Sequence, residues 1–101
     1  MSDFRYLPIA SWGTDRVLVS GTAFVNLNDQ AADEVVLVNS ADGAALDMRQ
    51  AQRDDTQYVE LDAPSGLTVG VTNNANEIMV RRHDQGATQV AVRYIWRKYR
   101  R

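Results

Sequence analysis

The sequence predicts an all-β domain, a small antiparallel β-sandwich or barrel of about 7–9 short strands, and three observations lead there. Near the end of the chain apolar residues fall on every second position. Because a strand points successive side chains to opposite faces, Val90, Val92, Tyr94 and Trp96 share one face while Ala91, Arg93 and Ile95 share the other. Turn chemistry recurs at fairly regular intervals, at Asn26-Leu27-Asn28-Asp29, Asn39-Ser40-Ala41-Asp42-Gly43, Ala63-Pro64-Ser65-Gly66, Asn73-Asn74-Ala75-Asn76 and His83-Asp84-Gln85-Gly86. Finally, Glu34-Val35-Val36-Leu37-Val38 is a nearly unbroken apolar run, the pattern of a central strand covered on both faces.

Taken in order, strands are expected at residues 4–9, 16–20, 22–27, 34–39, 45–49, 58–61, 67–71, 78–82 and 88–97. The first dozen residues, with Pro8 and then Trp12-Gly13, read as an edge strand or as an N-terminal arm over 1–12 that docks on a neighbour. Trp12 itself is expected to pack over one end of the barrel, or to anchor an interface if exposed. Ile78 and Val80 alternate with Met79 and Arg81, as on a half-exposed strand. The stretch 44–53 contains good helix formers, yet strand followed by loop is preferred. A hairpin through the His83–Ala87 turn is expected to pair strand 78–82 with the last strand, setting Arg81 or Arg82 near the start of that strand.

At 101 residues the chain is a single domain, 1–101, long enough for one core. Its 45% apolar and 24% charged residues are those of an ordinary globular protein. There is no cysteine, which removes disulfides and thiolate chemistry together. The start, with an acid at Asp3 and no continuous apolar region, does not read as a secretory signal, and no apolar run is long enough for a transmembrane helix, so no membrane partner is expected. The formal charge of −2 conceals a polarised distribution. Residues 1–92 carry six arginines against all thirteen acids, net −7, whereas 93–101 carry Arg93, Arg97, Lys98, Arg100 and Arg101, net +5. Head-to-tail self-association is one physical outcome of such polarity.

No catalytic constellation emerges. His83 is the single histidine, placed in a turn, where a solvent-exposed role outweighs a catalytic one. The serines lie in no nucleophile-elbow context. Acid pairs at Asp33-Glu34, Asp54-Asp55 and Glu60 with Asp62 lack the ligand spacing of a calcium loop. The asparagine-rich 73–76 turn is accounted for by backbone preference, with sugar or ion coordination as the alternative. No phosphate-binding glycine loop is present, so no cofactor and no enzymatic activity are expected. The basic tail 97–101, with Tyr94, Trp96 and Tyr99 interleaved among the cations, reads as a contact surface for protein, with nucleic acid the lesser alternative and fraying of the last four residues the plain one.

The run Glu34-Val35-Val36-Leu37-Val38-Asn39 with its Asp42-Gly43 turn, the segment 61–71, and Asn76-Glu77-Ile78-Met79-Val80-Arg81-Arg82-His83-Asp84-Gln85 leading to Thr88-Gln89-Val90-Ala91-Val92 resemble small all-β virion proteins of tailed bacteriophages. The class is that of accessory proteins that decorate or cement the head. The resemblance covers the later two-thirds of the chain and rests on pattern and turn placement. It implies a non-catalytic domain, made in the host cytoplasm and resident on the capsid surface, that binds the capsid or another virion protein, often as a homo-oligomer. On that reading Phe4, Tyr6 and Trp12 anchor the arm, and Arg93, Arg97, Lys98, Tyr99, Arg100 and Arg101 meet acidic capsid or sister-subunit surface. A carbohydrate-binding module, presenting Trp12, Tyr58 or Trp96 to a sugar, is the rival class.

Overall fold

The computed structural model describes residues 9–39 and 44–100, and among them the alternation resolves into eight strands, one 3₁₀ turn and no α-helix. In chain order these are β1 (Ile9–Val19), β2 (Val25–Asn26), β3 (Glu34–Asn39), β4 (Leu46–Gln50), β5 (Val59–Leu61), β6 (Ser65–Gly70), β7 (Ile78–Arg82) and β8 (Val90–Tyr99), with the 3₁₀ turn Ala75–Glu77 before β7. They form two four-stranded antiparallel sheets, a first in the order β1-β8-β3-β6 and a second in the order β2-β7-β4-β5. Only β4 and β5 are neighbours both in sequence and in a sheet. Every other connection crosses from one sheet to the other, and that interleaved order is the double Greek key of a jelly roll.

The core follows from alternation. Val17, Val19, Val92, Tyr94, Val35 and Leu37 point inward from the first sheet and meet Leu46, Met48, Leu61, Ile78 and Val80 of the second. Val35 and Leu37, both wholly buried on central β3, are each worth about 1.5–3 kcal/mol in surface removed from water. Tyr94 is the largest fully buried side chain. Its hydroxyl accepts a hydrogen bond from the Asn28 N–H at 3.1 Å and reaches Asp15 at 3.4 Å. At the same end of the sandwich Trp96 lies over Gly13. A Cβ there would meet the indole at 2.8 Å, so the bare backbone is what lets the ring close the core.

Strands 34–39 and 78–82 have the expected bounds, and 44–53 is strand then turn. Residues 4–8 of the segment 4–9, and the Asp42-Gly43 turn, lie outside the described residues, while Ile9 opens β1. The expected β7–β8 hairpin does not form. Both edges of β7 are taken by β2 and β4, and both edges of β8 by β1 and β3, so the connection after β7 passes between sheets. Arg81 and Arg82 are thereby removed from the sheet that carries the basic end. Val38, expected under cover, is 40% exposed, because β3 is central in its sheet but that sheet's outer face is uncovered by any described strand.

Candidate interaction face and a shielded ion cluster

The outer face of the first sheet is ordered in cross-strand rows. On β1, β8 and β3 the outward positions align as Trp12, Arg97 and Glu34, then Thr14, Ile95 and Val36, then Arg16, Arg93 and Val38. Trp12, expected to cap a barrel end, is instead 63% exposed, since its strand is an edge and its position points away from the core. Two shallow depressions run along this face. One of about 440 Å³ is lined by Thr14, Asp15, Arg16, Val38, Arg93, Tyr94 and Ile95, and one of about 220 Å³ by Ile9, Trp12, Ile95 and Arg97. An apolar floor, an aromatic wall and three arginines therefore share one surface.

The candidate contact residues separate on inspection. Arg97 donates to Glu34 at 2.8 Å, and the other oxygen of that buried carboxylate accepts from the Tyr99 hydroxyl at 2.8 Å. The Tyr99 N–H donates to Asp33 at 2.7 Å. Burial, then the Glu34 bond and charge, push the Tyr99 phenol up from its ordinary value. The strand end is thus tied down, not frayed, and part of its charge is matched internally. Arg93, Lys98 and Arg100 are exposed and join no ion pair among the described residues. Phe4, Tyr6 and Arg101 lie outside the described residues.

The free edge of β1 is blocked where it would otherwise invite another strand. The Asn28 side-chain amide donates to the Arg16 carbonyl at 3.0 Å and to Asp15 at 2.9 Å, while the Arg16 N–H donates to Asp15 at 2.8 Å. Side chains filling an edge in this way discourage strand addition. The face, more than the edge, is left available.

On the outer side of the second sheet a different arrangement gathers residues that are distant in sequence. Asp47 on β4 stands directly opposite Arg81 on β7 and Glu60 on β5. One Asp47 oxygen accepts from Arg81 at 2.9 and 3.2 Å, and the other accepts from His83 Nδ1 at 2.7 Å. A carboxylate has no proton to give, so Nδ1 carries it. His83 Nε2 then faces Glu60 at 3.4 Å. Although this is a sheet's outer surface, Asp47 is wholly buried and Arg81 7% exposed. The Phe24 ring lies 4.2 Å from the Arg81 guanidinium, with Tyr58 at 5.5 Å, so aromatic side chains do the shielding.

His83 is therefore a partly exposed turn residue with a buried partner. Its bond to Asp47 raises its pKa above the ordinary 6.5, against the opposing effect of desolvation, with the charges of Asp47, Glu60 and Asp62 adding to the rise. The folded protein holds this proton more tightly than the unfolded chain. The resulting stability is fully present below 6.5 and is lost as pH rises through the folded value. Urea midpoints are expected to fall between about pH 6 and pH 9 in the parent and to flatten in His83→Gln. A parent profile that is flat or rises over this range contradicts the assignment.

The Asp47–His83 pair is chemically the orienting half of a triad, yet Nε2 faces a carboxylate and no hydroxyl bonds to it among the described residues. Nor do three His, Cys, Asp or Glu side chains there form a metal site. The asparagine turn is likewise occupied. Asn74 accepts from the Asn76 and Gln30 N–H groups, and Glu77 takes the N–H groups of Thr72, Asn73 and Asn74 at 2.7–2.8 Å. Burial alone would raise the Glu77 pKa, but these backbone bonds outweigh it and hold the carboxyl low.

Sequence reasoning picked out Trp12 and Arg93 but missed Arg16, Asp47 and Phe24. Strands at 45–49 and 78–82 already made Asp47 and Arg81 outward-facing by parity; the missing knowledge was that β4 and β7 are neighbours. Fold and surface together define an eight-stranded jelly-roll domain with an exposed aromatic and basic outer face. Comparison of the chain with protein-family models, curated proteins and solved structures finds no match. Among the described residues no helix is long and apolar enough to cross a membrane.

Proposed function

We propose that this chain is a non-catalytic assembly module that binds a protein neighbour through the outer face of its first sheet, and that the neighbour is the capsid of a tailed bacteriophage. The observation that carries the reading is Trp12, 63% exposed beside Ile95 and on the same face as the unpaired Arg16 and Arg93. Large aromatics and arginines dominate binding energy at protein interfaces, and a contiguous apolar surface rimmed by polar groups is costly to leave in water without a partner. The capsid as partner rests on the sequence resemblance, and a jelly roll is a fold that capsid domains use, although fold alone does not imply function. Several modest contacts on a repeating shell add up through multivalency, so no single site needs high affinity.

Co-sedimentation with purified tailed-phage head shells tests the proposal. The parent protein is expected to pellet with shells, and Trp12→Ala to weaken binding by about 2 kcal/mol or more, roughly thirtyfold. Protein that stays in the supernatant with every shell overturns the capsid assignment. The exposed Trp12 ring also suits a sugar, and jelly rolls serve as lectins. Quenching of tryptophan fluorescence by oligosaccharides, with shells ignored, favours that second reading.

A further inference from the structure

We infer that a second copy of this chain docks its acidic β5 segment on the Arg16–Arg93 end of the outer face of the first sheet, next to the Trp12 end assigned to the capsid. The inference rests on the interaction-face reading above and adds a second occupant to the same face. Three observations carry it.

First, Arg16 and Arg93 stand directly opposite each other on neighbouring strands, and neither joins an ion pair among the described residues. Like charges in such a cross-strand pair repel, and an incoming carboxylate removes the repulsion. Second, residues 54–62 hold Asp54, Asp55, Glu60 and Asp62 and no lysine or arginine. Within that segment Val59 is 54% and Tyr58 39% exposed, so acid and apolar surface occur together. Asp62 joins no salt bridge among the described residues, its charge reaching His83 only at longer range, unlike Asp55, which pairs with Arg49. Third, β5 is an edge strand of the second sheet, whereas the arginine row belongs to the first. The two surfaces lie on different sheets of one molecule. A carboxylate such as Asp62 meets the Arg16–Arg93 row of the next copy, and Val59 packs on the Ile95 and Val38 floor.

A contact between unlike surfaces is heterologous. Each docking leaves one face and one edge free, so the product is a ring if the rotation closes and a filament if it does not. The charge polarity of the chain acts in the same sense. Complementary fields of this kind speed association and weaken as salt rises.

Sedimentation velocity on the full chain, over a concentration series, tests this. The parent is expected to associate at about 50 mM salt and to dissociate towards about 500 mM. Arg16→Glu with Arg93→Glu destroys the face but keeps the edge; Asp62→Lys spoils the edge but keeps the face. Each variant alone is expected to bind itself at least about tenfold more weakly than the parent. An equimolar mixture of the two is expected to associate where neither does alone, since one intact face then meets one intact edge and the two charge-reversed surfaces also attract each other. Neutral Arg93→Gln and Asp62→Asn serve as folding controls, with the parent's circular dichroism and a partial loss of association. A parent that remains monomeric at every concentration, or a mixture that behaves as its separate components, overturns the inference. Shell binding that survives in that case, and is lost in Trp12→Ala, leaves the interaction-face reading standing with a different occupant.

Discussion

Asp47→Ala is expected to cost the domain about 3–5 kcal/mol, a large part of the stability of a domain this size. Taking out the carboxylate strands the Arg81 guanidinium, whose side chain is 9% exposed, between two aromatic rings with no counter-charge. It also removes the Nδ1 partner of His83. The size of the loss comes from desolvation. A charge already withdrawn from water cannot regain its hydration unless the fold opens. Asp47→Asn, which still accepts a hydrogen bond from Arg81, is expected to lose less. Asp47→Leu combined with Arg81→Met leaves no charge stranded and is expected to recover most of the loss, because an apolar pair of similar volume often matches a buried ion pair. Urea unfolding followed by fluorescence reads all three. An Asp47→Ala variant within about 1 kcal/mol of the parent shows that water reaches Arg81 and that the aromatic shield is open.

Tyr94→Ala should be comparably damaging, at about 3–5 kcal/mol, by a different route. The ring is 1% exposed and packs within the core between the two sheets, so its removal leaves a cavity that a two-sheet core cannot collapse to fill. Tyr94→Phe separates the two contributions of this side chain. It keeps the ring and loses only the hydroxyl that accepts from Asn28 and reaches Asp15, a cost of about 0.5–1.5 kcal/mol. The phenol's pKa is raised, first by burial, so the hydroxyl stays protonated through neutral pH and the comparison is not confounded by ionisation. Thermal melts of both variants give the answer. Equal destabilisation by Phe and Ala would place the energy of Tyr94 in its hydrogen bonds and not in its packing.

These two residues show what could be read in advance. Tyr94 was legible because the alternation Val90, Val92, Tyr94 and Trp96 assigns it to the inward face of a strand wherever that strand sits in the fold. Asp47 was not. Its parity was readable, but an outward carboxylate on a strand is ordinarily solvated, and only the adjacency of β4 to β7 and the placement of Phe24 over Arg81 convert it to a buried ion. The same holds for Arg16, an unremarkable cation until β1 aligns it with Arg93.

Local periodicity and turn chemistry by themselves determined that the chain is all-β, where most strands lie, which side chains they turn inward and that charge is polarised towards one end. They act over a few residues, and side-chain alternation needs no knowledge of neighbours. Tertiary structure alone decided the order of strands within each sheet, the passage from β7 to β8 between sheets, the burial of Asp47 and the alignment of Trp12, Ile95, Arg16 and Arg93 on one face. Pairing between strands distant in sequence is selected by the combined packing of both sheets around one core, and no short window of sequence contains that information.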